Sequence, residues 1–370
     1  MDGAVTRVTT QLFDFFEAQE LQNDARLAMG SPSLDYKAKV QLVLDRWAKI
    51  DPGFAKLFRE KVTAYYNEMA FLDRAAISDL DDRGDIFGPK DNCTLKSAAV
   101  FRTNPLPGEK SKLIDKNIWA IADNDTRAGL ILHEVIYSGY KRNLLSEDSR
   151  FARYFVVFIT SSKMDGISAV DYRRFIESVG FGKFTNSTIV FNNLLLSNLK
   201  VSDDGFVSSG WPELPATVHF QGQALRIVGE VNDKGEVTQQ FIVPTLTFDK
   251  EGAVTGMDNV RLGNEIQVSV ADNKITLPSG SHLQFWENKV ILFDLPSNFP
   301  DLDLTVRGVI FHTITTGWNP NERKPYKFNN DGTPQELRVK GNLDFNWNGS
   351  RIKISGLEAL DFFLRQLRNL

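Results

Sequence analysis

Cysteine is almost absent from this sequence of 370 residues: Cys93 stands alone, so no disulfide can form within the chain. A lone cysteine therefore indicates no compartment, and Cys93 reads as a small buried or half-buried thiol. Histidine is nearly as scarce, with only His133, His219, His282 and His312. No run approaches the ~20 apolar residues of a membrane-spanning helix. No long basic run occurs and the net charge is -4, which removes the electrostatic footprint of a nucleic-acid binder. "MDGAVTRVTTQLFDFF" lacks the basic and apolar regions of a secretory leader, although it reads equally well as a start exposed by removal of one.

What is present is ordinary globular composition, 42% hydrophobic and 24% charged, which argues against disorder. The length predicts two domains. The first half carries the helical period. "TTQLFDFFEAQEL" gathers Leu12, Phe15, Phe16 and Leu21 on one face, with Asp14 and Glu17 between them. "SLDYKAKVQLVLDRWAKIDPG" follows, capped at Ser33 or Asp35 and stopped at Pro52-Gly53; "FAKLFREKVTAYYNEMAFLDRAAI" reads as a third helix. Glycines and prolines punctuate residues 79 to 122, and helices resume over "LILHEVIY", "SRFARYFVVFITSS" and "SAVDYRRFIESVGF".

From about Ser187 the period becomes two. "NEIQVSVADNKITLPSG" alternates Ile266, Val268 and Val270, turns at Asp272-Asn273 and resumes at Ile275 and Leu277. "NLDFNWNGSRIKISG" places Asn348-Gly349 between two alternating runs, the strongest hairpin signal in the chain. Three hairpins share an aromatic, a polar turn and then aliphatics. Their phenylalanines, Phe248, Phe285 and Phe345, stand 37 and 60 residues apart, so no fixed repeat is present. The fold class expected is α+β: a helical domain over 1–182, then a mainly antiparallel β domain over 183–370. That domain is read as a sandwich or an elongated β layer, closed by a C-terminal helix over "GLEALDFFLRQLRNL".

"LILHEVIYSGY" carries the one chemically pointed pattern. Its helix is apolar nearly all round apart from His133 and Glu134, and buried ionisable groups must be satisfied. A zinc-protease helix needs a second histidine four residues on, and Tyr137 stands there; no metal site and no cofactor are expected. A metal-free acid–base site would use Glu134 with His133 and Tyr137 beside it, but no nucleophile or oxyanion hole accompanies them. The reading favoured is a structural network in which Asp148, Arg150 and Arg153 turn back toward the pair, since a guanidinium fork suits a buried carboxylate. "DLDDRGD" departs from a calcium loop at Arg83 and Lys90, and the serine at 149 has no histidine beside it. The long polar loop over 315–334 carries Trp318, Arg323, Lys324 and Tyr326, which suit contact with a ligand or partner.

"DGAV", "QLFDFFEAQEL", "NCTLKSAAV", "LILHEVIYSGY" and "DSRFAR" together resemble a set of uncharacterised secreted proteins of Bdellovibrio-type predatory bacteria. The likeness covers about residues 2–160 and falls on His133, Glu134, Tyr137, Asp148, Ser149 and Arg153. Members often have a second cysteine near the start, which this chain lacks. The resemblance implies export, to the periplasm or beyond, with a leader removed ahead of residue 1, and a β-rich tail that varies between members. It supplies no activity. The function expected is binding of an envelope component or protein; the alternative is an envelope-directed hydrolase using Glu134 as acid or base.

Overall fold

The computed structural model describes residues 10–21, 26–73, 96–102, 105–142, 149–181, 187–230, 244–270, 273–296, 302–306, 309–312, 326–329, 334–336, 338–340, 343–347, 350–354 and 357–359. It forms two compact units, Met1–Phe191 and Asn192–Leu370. Helices fill the first and a large antiparallel, curled sheet the second, so the fold is α+β.

The first unit opens with α1 (Phe13–Leu21), α2 (Tyr36–Trp47) and α3 (Pro52–Glu68). Asp35 caps α2, its carboxylate accepting from the Ala38 amide at 2.8 Å. Val40, Val43, Leu44 and Trp47 then fall on one buried stripe. The stop expected at Pro52-Gly53 is instead a start. Asp51 caps α3 and Pro52 takes its first turn, where a missing amide costs nothing. α3 also ends earlier than its pattern predicts. Met69–Leu72 leaves the helix as strand β1 and pairs in parallel with β3 (Lys112–Asp115), whose other edge receives β2 (Ala99–Phe101) antiparallel. Leu113 and Ile114 of β3 are consecutive and both buried, so this central strand is covered on both faces.

Among the described residues of this unit, the α-helices that follow are α4 (Lys116–Ile121), α5 (Asn124–Arg142), α6 (Arg150–Thr160) and α7 (Ala169–Ser178). Their common core is aromatic. Trp47 lies 5.0 Å from Phe58 and 5.2 Å from Phe155, Phe155 is 4.6 Å from Phe181, and Phe158 stacks on Phe175 at 3.9 Å.

Inside that core Asp51 is fully buried and accepts four hydrogen bonds. Phe54 N and Thr188 N donate to one oxygen at 2.9 and 3.0 Å; Tyr172 OH and Ser187 Oγ donate to the other at 3.1 and 2.6 Å. Trp47 Nε1 donates in turn to Tyr172 Oη at 2.7 Å. Burial pushes the Asp51 carboxyl up, and the four donors act against it. The same bonds, with Val190 N donating to Ile50 O, hold Ser187–Phe191 to the helices. The units accordingly divide at Phe191, beyond the point where the sequence period changes.

In the second unit the sheet runs, in spatial order, Pro334–Glu336, Tyr326–Phe328, Lys289–Asp294, His282–Trp286, Val254–Leu262, Leu246–Phe248, Val207–Pro212 and Leu194–Val201. Gln223–Val228 also pairs with Val254–Leu262 and carries Ala216–Phe220 on its other side. Apolar alternation builds the inner face: Leu283, Phe285, Val290 and Phe293 are buried, and Phe220 stacks on Phe285 at 4.1 Å.

Two predicted hairpins can be checked in detail. Leu343–Trp347 pairs with Ser350–Ile354 in the register that leaves 348–349 as the connection. Ile266–Val270 pairs with Asn273–Leu277, but Val270 faces Asn273, so the connection is 271–272 and Asn273 belongs to the strand. Its amide is engaged there, accepting from Thr305 N at 2.7 Å and donating to Thr305 O at 2.6 Å. The expected C-terminal helix begins otherwise: Leu357–Ala359 is a strand paired with Arg338–Lys340, which satisfies its backbone groups, and 360–370 lie outside the described residues. Among the described residues, no helix is long and apolar enough to cross a membrane.

Candidate functional site

α5 turns one face into the core through Ala128, Ile131, Leu132, Val135 and Ile136. His133 lies at the edge of that face, with its side chain 12% exposed; Glu134 and Tyr137 are half-buried beside it. One turn earlier comes Gly129. A Cβ there would stand 2.5 Å from Phe15 Cζ and 2.7 Å from Leu12 Cδ2, so only glycine lets α1 approach this closely.

That approach brings Asp14 and Glu17 of α1 inward. Asp14 Oδ2 lies 2.8 Å from His133 Nδ1. Arg153 of α6 donates from Nε to Glu17 Oε2 at 2.6 Å and from Nη2 to Glu17 Oε1 at 3.4 Å. Arg153 also donates to Ser149 Oγ at 2.8 Å, and its guanidinium stands 5.4 Å from the centre of the Phe13 ring. Asp14 and Glu17, which the sequence places between the apolar positions of α1, are buried. Arg153 turns to Glu17 and His133 to Asp14, because α1 lies across α5 and α6 and offers its carboxylates to each.

Electrostatics follow from this packing. Burial works against charge on His133, but the Asp14 carboxylate and its hydrogen bond, with Glu134 adding to them, raise the imidazole above its ordinary value; Arg153 works against the rise. Glu134 also adds to the burial that pushes the Tyr65 phenol well up. The Tyr137 ring packs against His133, with centroids 6.0 Å apart. An imidazole raised by a buried carboxylate keeps its proton to higher pH, which suits a structural counter-ion.

Arg150 is exposed on α6, and Asp148 lies outside the described residues. Trp318, Arg323, Lys324 and Cys93 also lie outside them. Tyr326, expected as a contact residue, is buried and stacks on Phe293 at 4.5 Å, because its strand turns that position inward. Among the described residues, no group of three or more His, Cys, Asp or Glu is placed to hold a metal ion.

In the second unit His282 Nε2 lies 2.8 Å from Glu230 Oε1. Ser281 precedes it, but consecutive strand residues face opposite sides and Ser281 is buried in the core, so the two form no nucleophilic pair.

Sequence reasoning missed Trp211 and Trp286. These outward-facing residues are 37% and 46% exposed. Trp286 belongs to a row of cross-strand neighbours: Lys289, Trp286, Gly256, Thr247, Ser209 and Lys200. Its ring lies over Gly256, where a Cβ would meet Cε3 at 2.8 Å. The signal was available, since alternation that buries Leu283 and Phe285 must turn Trp286 outward. Comparison of the chain with protein-family models, curated proteins and solved structures finds no match.

Proposed function

We propose that this is an exported binding protein of the cell envelope, akin to the secreted proteins of predatory bacteria that its first 160 residues resemble. The observation that carries the reading is Trp286, a large aromatic held on the outward face of the sheet. It is seated on Gly256, with Lys289 opposite it on its other side and Thr247 beyond the glycine. A fixed, half-exposed indole offers contact area at little cost in side-chain entropy, which is why tryptophan recurs as an anchor in recognition. The ionic groups of the helical unit, in this reading, hold its helices together.

The test is a tryptophan-emission titration with isolated peptidoglycan, with lipopolysaccharide vesicles and with an outer-membrane protein fraction, each separately. One of the three should shift the emission and bind at least tenfold more weakly to Trp286→Ala, the loss of roughly 1.4 kcal/mol or more typical of an anchor residue. Equal binding by wild type and Trp286→Ala would remove this face from the reading. A hydrolase is the second reading, favoured by one observation: Glu134 and Tyr137 are half-buried beside His133 rather than sealed. It requires release of soluble fragments from such material, lost in Glu134→Gln.

A further inference from the structure

α1 is fastened to two different helices by two buried ionic contacts, and only one of these can change charge near neutral pH. Asp14 meets His133 of α5, and Glu17 meets Arg153 of α6. Between these contacts Phe15 lies on Gly129, and Phe13 lies under the Arg153 guanidinium. We propose that α1 is a pH-gated strap, docked across α5 and α6 while His133 carries its proton and loosened when His133 gives it up.

The groups around His133 come from every helix packed there. α1 supplies Asp14 and, through Arg153, Glu17; α6 supplies Arg153. α5 itself supplies Glu134 and Tyr137, and Tyr65 of α3 faces Glu134. Asp14 and Glu134 favour the imidazolium, while burial and Arg153 oppose it, and the balance raises the imidazole. The sign then follows from linkage. A histidine whose folded value lies above its unfolded one stabilises the docked state fully below the unfolded value, about 6.5, and loses that contribution as pH rises through the folded value. The Glu17–Arg153 contact does not involve His133, so α1 opens from its first turn, where Asp14 lies, rather than leaving entirely. The strap stands independently of what the sheet binds.

Amide hydrogen exchange on the full chain tests it, at about pH 6 and about pH 9, bracketing the ordinary histidine value. Rates are corrected for the intrinsic pH dependence of exchange, and the amides of α2 and α3 serve as internal reference. Protection in α1 should fall several-fold at the higher pH while the reference helices hold theirs. His133→Gln keeps a donor toward Asp14 without the charge, and Asp14→Asn removes the carboxylate; in both, α1 protection should be low and flat with pH. Wild-type α1 amides that track α2 and α3 at both pH values overturn the proposal. An unchanged pH response in a folded His133→Gln protein does the same. Should neither variant fold, the wild-type comparison decides alone.

Discussion

The two units solve the problem of burial in opposite ways. Among residues whose burial is described, the helical unit encloses Asp14, Glu17, Lys39, Asp51, Asp115 and Arg153 as well as several hydroxyls; the β unit encloses one polar residue, Ser281. The β unit excludes polar groups by alternation, each strand turning them outward every second residue. Helix packing allows no such sorting; the first unit satisfies its buried charges by ion pairs at Asp14, Glu17, Lys39 and Arg153 and by neutral donors at Asp51 and Asp115. Lys39 shows the pattern again: its ammonium lies 2.9 Å from Asp125 Oδ1 and donates to the carbonyls of Met29 and Ser31 at 3.3 and 2.9 Å. A core built on pairs is specific, because each partner is costly when left alone.

The largest effect should therefore come from breaking one pair in the helical unit. Glu17→Ala leaves the Arg153 guanidinium buried against Phe13 without its carboxylate, and should cost roughly 3–5 kcal/mol. Urea unfolding followed by helical circular dichroism measures this. Glu17→Leu combined with Arg153→Met removes both charges together and should cost less than either single change, because no charge is stranded. Single variants within about 1 kcal/mol of wild type would mean that the pair is not an anchor, and the contrast between the units would lose its best example.

The same contrast explains what the sequence reveals. The β unit is legible because its rule is local: Ile266, Val268 and Val270 alternate in the sequence and are buried in the structure. Asp35 likewise acts three residues from its own position. The helical unit depends on contacts that no local pattern encodes. Asp14 and His133 are 119 positions apart, Glu17 and Arg153 are 136 apart, and nothing near Asp14 or Glu17 marks them as buried. Pro52 was ambiguous for another reason, since proline both follows helices and begins them. Met69–Leu72 continues a helical pattern, yet pairing with Lys112–Asp115 overrides it.

A smaller effect is expected in the β unit, where damage should arise from shape rather than charge. Gly256→Ala would set a methyl 2.4 Å from Thr247 Oγ1 and 2.8 Å from the Trp286 ring, closer than real contacts allow. The indole must lift away, at a cost of about 1–3 kcal/mol typical of overpacking. Tryptophan emission should move to longer wavelength as Trp286 gains solvent, while the helical unit unfolds at its wild-type midpoint. Unchanged emission in a stable variant would show that the ring is not seated on the glycine.

The smallest effect concerns Glu134, where the helical unit meets solvent. Because Glu134 is half-buried, it resembles an exposed charge more than Glu17 does, and Glu134→Gln should change stability by about 1 kcal/mol or less. Its electrostatic effect is easier to read. Glu134 is one of the charges that raise His133, after Asp14, and it adds to the rise at Tyr65. Removing that charge should lower the titration midpoint of His133, followed by the NMR shifts of its ring protons, and lower that of Tyr65 in the same variant. The pH window then moves with it. With a lower folded value, the stabilisation of docked α1 still begins to fade near the unfolded value but is lost by a lower pH, so the exchange response of α1 should be complete earlier, and be smaller, than in wild type. Asp14→Asn should lower the His133 midpoint further, because the nearer carboxylate also supplies a hydrogen bond. A midpoint that falls more in Glu134→Gln than in Asp14→Asn would mean that Glu134 rather than Asp14 is the main counter-ion of His133. α1 would then be held by Glu17 and Phe15 alone.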